Sequence, residues 1–272
     1  MPVPELKPDQ ILIKVEAAGI GNWDIGDREG MVANMYGFKP LFPWVLGSEG
    51  AGKVVAVGEK VRRFHEGDSV YGINWGTNPK AGFFAEYTAL NEKWASPIPS
   101  RLTAKQAGAL MIDGATALRG LSEILEMKPN EKLMIFGASG GIGHLAIQLA
   151  VRMGARVFAV ASGEVGVELS KRLGAEIAVE GHGEITNSVR EFAPDGFDAA
   201  LVTVGGEVVD RALTNVRDGG RVAHPFGLRP APDVRSTVRL HSYNDGKFWH
   251  TLDHSLIDRL TGLSKQAHLK CI

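Results

Sequence analysis

One stretch of this sequence has the residue types and spacing to hold a phosphate. Residues 132 to 150 read Lys132-Leu-Met-Ile-Phe-Gly137-Ala138-Ser139-Gly140-Gly141-Ile142-Gly143-His-Leu-Ala-Ile-Gln-Leu-Ala150. A short apolar run enters a glycine cluster and leaves as an apolar-periodic segment, which reads as strand, turn and helix. Glycine allows a tight turn, and without a Cβ its backbone comes close to an anion. A helix starting at such a turn presents unpaired N–H groups and the positive end of its dipole. Gly137, Ala138, Ser139, Gly140, Gly141, Ile142 and Gly143 are therefore candidate contacts for a pyrophosphate. The spacing is G-x-x-G-G-x-G rather than the G-x-G-x-x-G dinucleotide fingerprint. A ligand-free glycine turn is the bland alternative. A second strand beginning at Gly154-Ala-Arg-Val-Phe-Ala-Val favours the dinucleotide site.

The end of that second strand speaks to cofactor choice. An acidic residue there accepts from the ribose 2′-hydroxyl of NAD. Here the place falls at Ala161 or Ser162. The Ser162 hydroxyl can bond a 2′-phosphate and no fixed carboxylate repels it, so NADPH is favoured. Glu164 stands two residues on, and Lys171 and Arg172 read as a solvated helix face. Val204, Phe226 and Gly227 follow later strands, where the carboxyl edge of such a sheet meets a dinucleotide.

These residues need two kinds of scaffold. Up to about Pro99 the chain is rich in glycine and β-branched residues, with strands predicted at Ile11–Ala17, Gly50–Val57, Ser69–Ile73 and Phe83–Leu90. Short strands between Gly, Pro and Asp turns suggest a barrel-like β-rich domain. Beyond it, helices are expected from Thr103 to about Ile112 and from Ala115 to Leu125. Strands at Leu133–Phe136, Val157–Ala161, Ala199–Val204 and Arg221–Pro225 then alternate with helices at Ile142–Met153 and Val165–Leu173. That alternation implies a parallel sheet covered on both faces. The fold class is α/β, with domains expected at 1–98 and 99–272.

Composition narrows the function classes. The 272 residues carry a net charge of −1, 44% apolar and 22% charged residues. Nothing here points to nucleic acid or an anionic membrane surface. The single cysteine, Cys271, makes neither an intramolecular disulfide nor a cysteine-rich zinc lobe. No apolar signal region or bilayer-spanning run is legible, which fits a cytoplasmic protein.

In combination and order, several pieces resemble the medium-chain dehydrogenase/reductases, and most closely their zinc-independent quinone-oxidoreductase-like branch. They are Ala17-Ala-Gly-Ile-Gly-Asn-Trp-Asp24 with Arg28 and Gly30, Pro43-Trp-Val-Leu-Gly-Ser-Glu-Gly-Ala-Gly-Lys-Val54, Phe64-His-Glu-Gly-Asp-Ser-Val-Tyr-Gly72, Gly82-Phe-Phe-Ala-Glu-Tyr87, Gly114-Ala-Thr-Ala-Leu-Arg119 and the glycine turn. The resemblance implies a GroES-like catalytic domain followed by a Rossmann doubly wound domain, with the active site in the cleft between them. Zinc-dependent members carry Cys in the first motif and Gly-His-Glu in the second. Here Gly21 and Ser48 stand at those places, removing the soft ligands a catalytic zinc needs. The implied reaction is metal-free hydride delivery from NADPH to a quinone or an α,β-unsaturated carbonyl. Enoyl-thioester reduction and cofactor binding without catalysis are the alternatives.

By the same resemblance Asn22 or Trp23 would line the cleft; Asn22 could orient a carbonyl or simply bond its own loop. Tyr36 could donate a proton, stack on substrate, or be a partly buried loop aromatic. Ser48 could hydrogen-bond substrate or water. Asp24 and Arg28 read as a structural ion pair. Thr116 would contact nicotinamide or phosphate. Family members begin with one more hairpin and return to the catalytic domain after the Rossmann sheet, so both pieces are expected to be missing here. Val238–Tyr243 reads as an edge strand, followed by a helix at Phe248–Leu260; an exposed edge suggests a homodimer, and an edge covered by that helix a monomer.

Overall fold

Strand β1, Gln10–Ala18, places Ile11 and Ile13 on one face, and both are fully buried. That alternation seeds the first of two sheets in the computed structural model, which describes residues 2–37, 39, 42–74, 81–182, 185–244, 254–266 and 269. β1 pairs antiparallel with β2, Glu49–Val57, and with β4, Tyr87–Asn91. β3, Ser69–Ile73, joins β2, and β5, Ala95–Pro97, closes the order β4-β1-β2-β3-β5. Ile11, Ile13, Val54, Val70, Phe83 and Leu90 form its apolar core. The strand expected at Phe83–Leu90 is shorter. The Phe83 and Phe84 amides donate to the carbonyls of Gly47 and Leu46 instead of entering a ladder.

Two short helices unmarked in the sequence, α1 (Asn22–Arg28) and α2 (Met31–Tyr36), carry the first motif. The helix expected from Thr103 breaks. Thr103 caps α3, Ala104–Ala107, through a capping box with Gln106, and a new helix α4 runs Met111–Arg119. α4 leads into a π-turn at Gly120–Ile124.

The second sheet is wholly parallel. Its strands are β6 (Lys132–Phe136), β7 (Arg156–Ala161), β8 (Ile177–Glu180), β9 (Phe197–Val202), β10 (Val216–Pro225) and β11 (Arg239–Tyr243). Their order is β11-β10-β9-β6-β7-β8. The strand order reverses between β6 and β9, which is the switch point of a doubly wound sheet. Helices α5 (Gly141–Arg152), α6 (Gly163–Arg172), α7 (Thr186–Phe192) and α8 (Glu207–Leu213) connect the strands. β6 is buried nearly throughout, as a strand covered on both faces must be. Phe158, Phe192 and Phe197 pack ring against ring at 5.5 to 5.8 Å in its core.

The chain divides into two compact units, Met1–Ala115 with Gly246–Ile272, and Thr116–Asp245. α3 and the start of α4 group with the first unit. The last helix, α9 (His254–Gln266), belongs to the first unit. Its Asp258 bonds Arg63 and Ser96, and its Thr261 bonds Ser96 and Tyr71. The start expected for that helix, near Phe248, falls outside the described residues. Among the described residues, no helix is long and apolar enough to cross a membrane.

Candidate functional site

In the second unit, β6 runs into Gly137, whose φ is +75°. A Cβ there would overlap the Thr203 hydroxyl, which itself donates to the Phe136 carbonyl at 2.8 Å. Glycine is thus required by both backbone and space. The turn closes with the Gly140 amide on the Gly137 carbonyl at 3.0 Å. Gly143 packs so closely that its Cβ would overlap that same carbonyl oxygen. Gly140 is different. Its φ of −78° suits any residue, and an added Cβ would meet only the Gly137 oxygen, at 3.3 Å. The space in front of Gly140 is a cradle that a side chain would fill.

Gly140 is the N-cap of α5, with no side-chain cap and no acid in the first turn. The dipole of this 12-residue helix is therefore unneutralised at the turn. These features fit a pyrophosphate. His144, one turn into α5, is buried, and its Nδ1 donates to the Gly140 carbonyl at 2.9 Å, holding the cap in place. Burial lowers its pKa.

The other expected cofactor residues collect at the same carboxyl edge. Ser162 follows β7 as the exposed N-cap of α6, and its hydroxyl makes no cap bond. Val204 follows β9, and Phe226 and Gly227 follow β10; Val204 and Phe226 are 45% and 47% exposed. Thr116 lies in α4, buried, and its hydroxyl accepts from Asn244 just beyond β11.

In the first unit, Asp24 organises the two expected metal-motif loops. Its carboxylate accepts from the Gly21 amide at 2.8 Å and from the Ser48 amide and hydroxyl at 3.2 and 3.3 Å. The expected Asp24–Arg28 pair is therefore corrected: Asp24 is buried and satisfied by these donors, while exposed Arg28 lies 3.7 Å from Glu29. The Ser48 proton is committed to Asp24. Asn22 is exposed at the start of α1. Tyr36 ends α2, and its side chain lies outside the described residues. Among the described residues no group of three His, Cys, Asp or Glu side chains could hold a metal ion.

Two acids carry more than the sequence suggested. Glu49 is buried at the start of β2, and its Oε2 accepts from the Ile112 amide at 2.8 Å. It therefore caps α4 from the start of β2. Burial pushes its pKa up to about 8, against the pull of the α4 amides, with Asp113 and Asp24 adding repulsion. Burial likewise pushes Asp113 up to about 7.

Residues 7–100 match the sequence family described as alcohol dehydrogenase GroES-like domain, and residues 141–241 the family described as zinc-binding dehydrogenase. A 2-methylene-furan-3-one reductase of Solanum lycopersicum is 36% identical over 87% of this chain and 60% of its own length. Alcohol dehydrogenase 1 of Emericella nidulans is 31% identical over 88% of this chain and 76% of its own. The crystal structure of a quinone oxidoreductase from Pseudomonas syringae superposes with a TM-score of 0.82 at 26% identity, over 99% of this chain and 84% of that one. The chain spans 47–65% of the length of curated quinone and furanone reductases that it matches.

Proposed function

Because the chain belongs to the medium-chain dehydrogenase/reductase family, we propose that it is a zinc-independent, NADPH-dependent reductase of quinones or α,β-unsaturated carbonyls. The observation that carries this reading is the uncapped N-terminus of α5 behind the open face of Gly140. The residue types support the metal-free form. Gly21 offers no ligand, and Ser48 spends its proton on Asp24.

The roles follow from the chain's own groups. The turn from Gly137 to Gly143 holds the pyrophosphate with backbone amides and the α5 dipole. Ser162 binds the 2′-phosphate of the adenosine ribose. Val204, Phe226 and Gly227 give the nicotinamide half an apolar edge that excludes water. When bound, the reduced nicotinamide supplies the hydride. Asn22 orients the acceptor carbonyl by donating from its side-chain amide, Ser48 Oγ accepts from a water beside the substrate, and Tyr36 gives a proton from its hydroxyl to the reduced oxygen.

Fluorescence titration with NADPH, followed by addition of a quinone, an enone or an enoyl thioester, tests the assignment. Turnover of the quinone or enone, unchanged by a chelator, is expected. Binding without turnover of any acceptor would leave a silent cofactor-binding protein, and faster turnover of the thioester would move the chain to that class. Loss of activity with the chelator would refute metal independence.

Cofactor choice has its own test. Ser162→Asp introduces a carboxylate that repels a 2′-phosphate and accepts from a 2′-hydroxyl. The ratio of kcat/KM for NADPH over NADH is expected to fall about 100-fold, a shift of roughly 2.7 kcal/mol. A wild type already favouring NADH would instead assign the ribose to Glu164.

Assembly is proposed as a homodimer through β11, which lies at the sheet edge with Leu240 39% exposed. Light scattering is expected to give twice the chain mass of 29.2 kDa. A monomer at micromolar concentration would refute it.

A further inference from the structure

The Thr116 hydroxyl behaves unlike its counterparts in other helices. Ser122, Ser170, Thr261 and Ser264 each donate to the carbonyl four residues earlier, those of Leu118, Gly166, Ile257 and Leu260. Thr116 Oγ1 instead meets Asn244 Nδ2 at 3.1 Å. The polarity of that contact is fixed from its far side. Arg119 Nη1 lies 2.6 Å from Asn244 Oδ1. A guanidinium has only donors, so the amide oxygen must face Arg119 and the amide NH2 must face Thr116. An NH2 group only donates, so Thr116 Oγ1 is the acceptor and its own proton points elsewhere. Among the described residues nothing accepts that proton. Thr116 is 3% exposed, and a buried donor without an acceptor is costly.

Asn244 is itself held under constraint. Its φ is +60°, in the left-handed region, and it is buried at 7% exposure. Asparagine tolerates this conformation better than most residues, and the bonds to Arg119 and Thr116 hold it there. Tyr243, beside it, donates from its hydroxyl to the Thr116 carbonyl at 3.2 Å. Asn244 follows β11 at the carboxyl edge, on the β9-β10-β11 side of the switch point. In a doubly wound sheet the two halves of a dinucleotide lie on opposite sides of that point. With Ser162 on the β7 side taken for the adenosine ribose, the β11 side receives the nicotinamide half.

We propose that Arg119 and Asn244 are positioning residues that make the Thr116 hydroxyl a hydrogen-bond donor to an acceptor oxygen on the nicotinamide half of the cofactor. The proposal rests on the dinucleotide reading above and adds the polarity of one contact and the residues that set it.

Asn244→Asp reverses that polarity. Aspartate also tolerates the left-handed region, and its carboxylate still accepts from Arg119. It accepts from Thr116 as well, turning the hydroxyl proton inward. The variant is expected to melt at or above the wild-type temperature and to bind NADPH about tenfold more weakly. Adenosine 2′,5′-bisphosphate, which lacks the nicotinamide half, should bind as to wild type. Thr116→Val should show the same loss in NADPH affinity, and adding Asn244→Asp to it should cost nothing more. Wild-type NADPH affinity in either single variant would overturn the proposal, as would an equal loss for the bisphosphate, which marks a general structural role. A wild-type protein that binds no dinucleotide would overturn the parent reading, a result recognisable before any variant is made.

Discussion

Gly140→Val is expected to abolish dinucleotide binding while leaving the fold intact. The reason lies in how differently the turn glycines are placed. Gly137 and Gly143 are demanded by their own surroundings, because a Cβ at either would overlap the Thr203 hydroxyl or the Gly137 carbonyl. Gly140 is less strictly demanded: its φ of −78° suits any residue, and a Cβ would press on the Gly137 carbonyl oxygen at 3.3 Å, a contact relieved by a shift of a few tenths of an ångström. A branched side chain there would stand in front of the α5 amides, where a pyrophosphate must sit to reach them. Affinity for NADPH should fall by about 100-fold or more, equivalent to roughly 2.7 kcal/mol. Gly143→Ala is the contrasting variant. It should lose stability by about 1–3 kcal/mol, because the overlap is with backbone rather than with a movable side chain. Titration of NADPH fluorescence and thermal melts on both proteins separate the two effects. Unchanged affinity in Gly140→Val would place the cofactor elsewhere.

The glycine turn was legible because its chemistry is local: strand, turn and helix N-terminus lie within twenty residues of one another. The parallel sheet was legible for a similar reason, since buried strands read as apolar runs bounded by glycine. What escaped the sequence depends on distance along the chain. Asn244 meets Thr116 across 128 positions and Glu49 meets Ile112 across 63. No spacing rule connects residues so far apart. Short elements escaped too. α1, α2, α7 and α8 have only 6 or 7 residues each, too few to show a helical period. Arg28 stands four positions after Asp24, a spacing at which oppositely charged side chains on one helix face each other. Backbone donors from Gly21 and Ser48 took the carboxylate instead; the Gly21 contact is the local cap of α1, and the Ser48 contact forms only when the second motif loop folds against α1.

The second large effect is a loss of stability as pH rises through neutrality, and Glu49 is its expected source. An acid whose folded pKa exceeds its unfolded value binds more protons when folded, so the stability it contributes is present at low pH and lost as pH rises. For Glu49 the window runs from 4.5 up to about 8, and for Asp113 from 3.8 up to about 7. The loss amounts to a few kcal/mol across that range. His144 and His224 act in the opposite sense, because burial lowers their pKa values below 6.5 and folding then favours higher pH. A difference between proteins isolates the acid. Glu49→Gln keeps an oxygen for the Ile112 amide but cannot ionise. Its melting temperature should match wild type near pH 5 and exceed it near pH 8, whereas both histidine contributions cancel in the comparison. Glu49→Ala should be destabilised by about 2–4 kcal/mol near pH 5, since the first amides of α4 lose their buried acceptor and a cavity replaces it, and this deficit should shrink towards pH 8 as wild type loses the Glu49 contribution. Thermal melts of the three proteins between pH 5 and 8 decide the matter. A Glu49→Gln difference that stays constant across that range would show that Glu49 does not change its ionisation there, and that the α4 amides hold the carboxylate charged throughout.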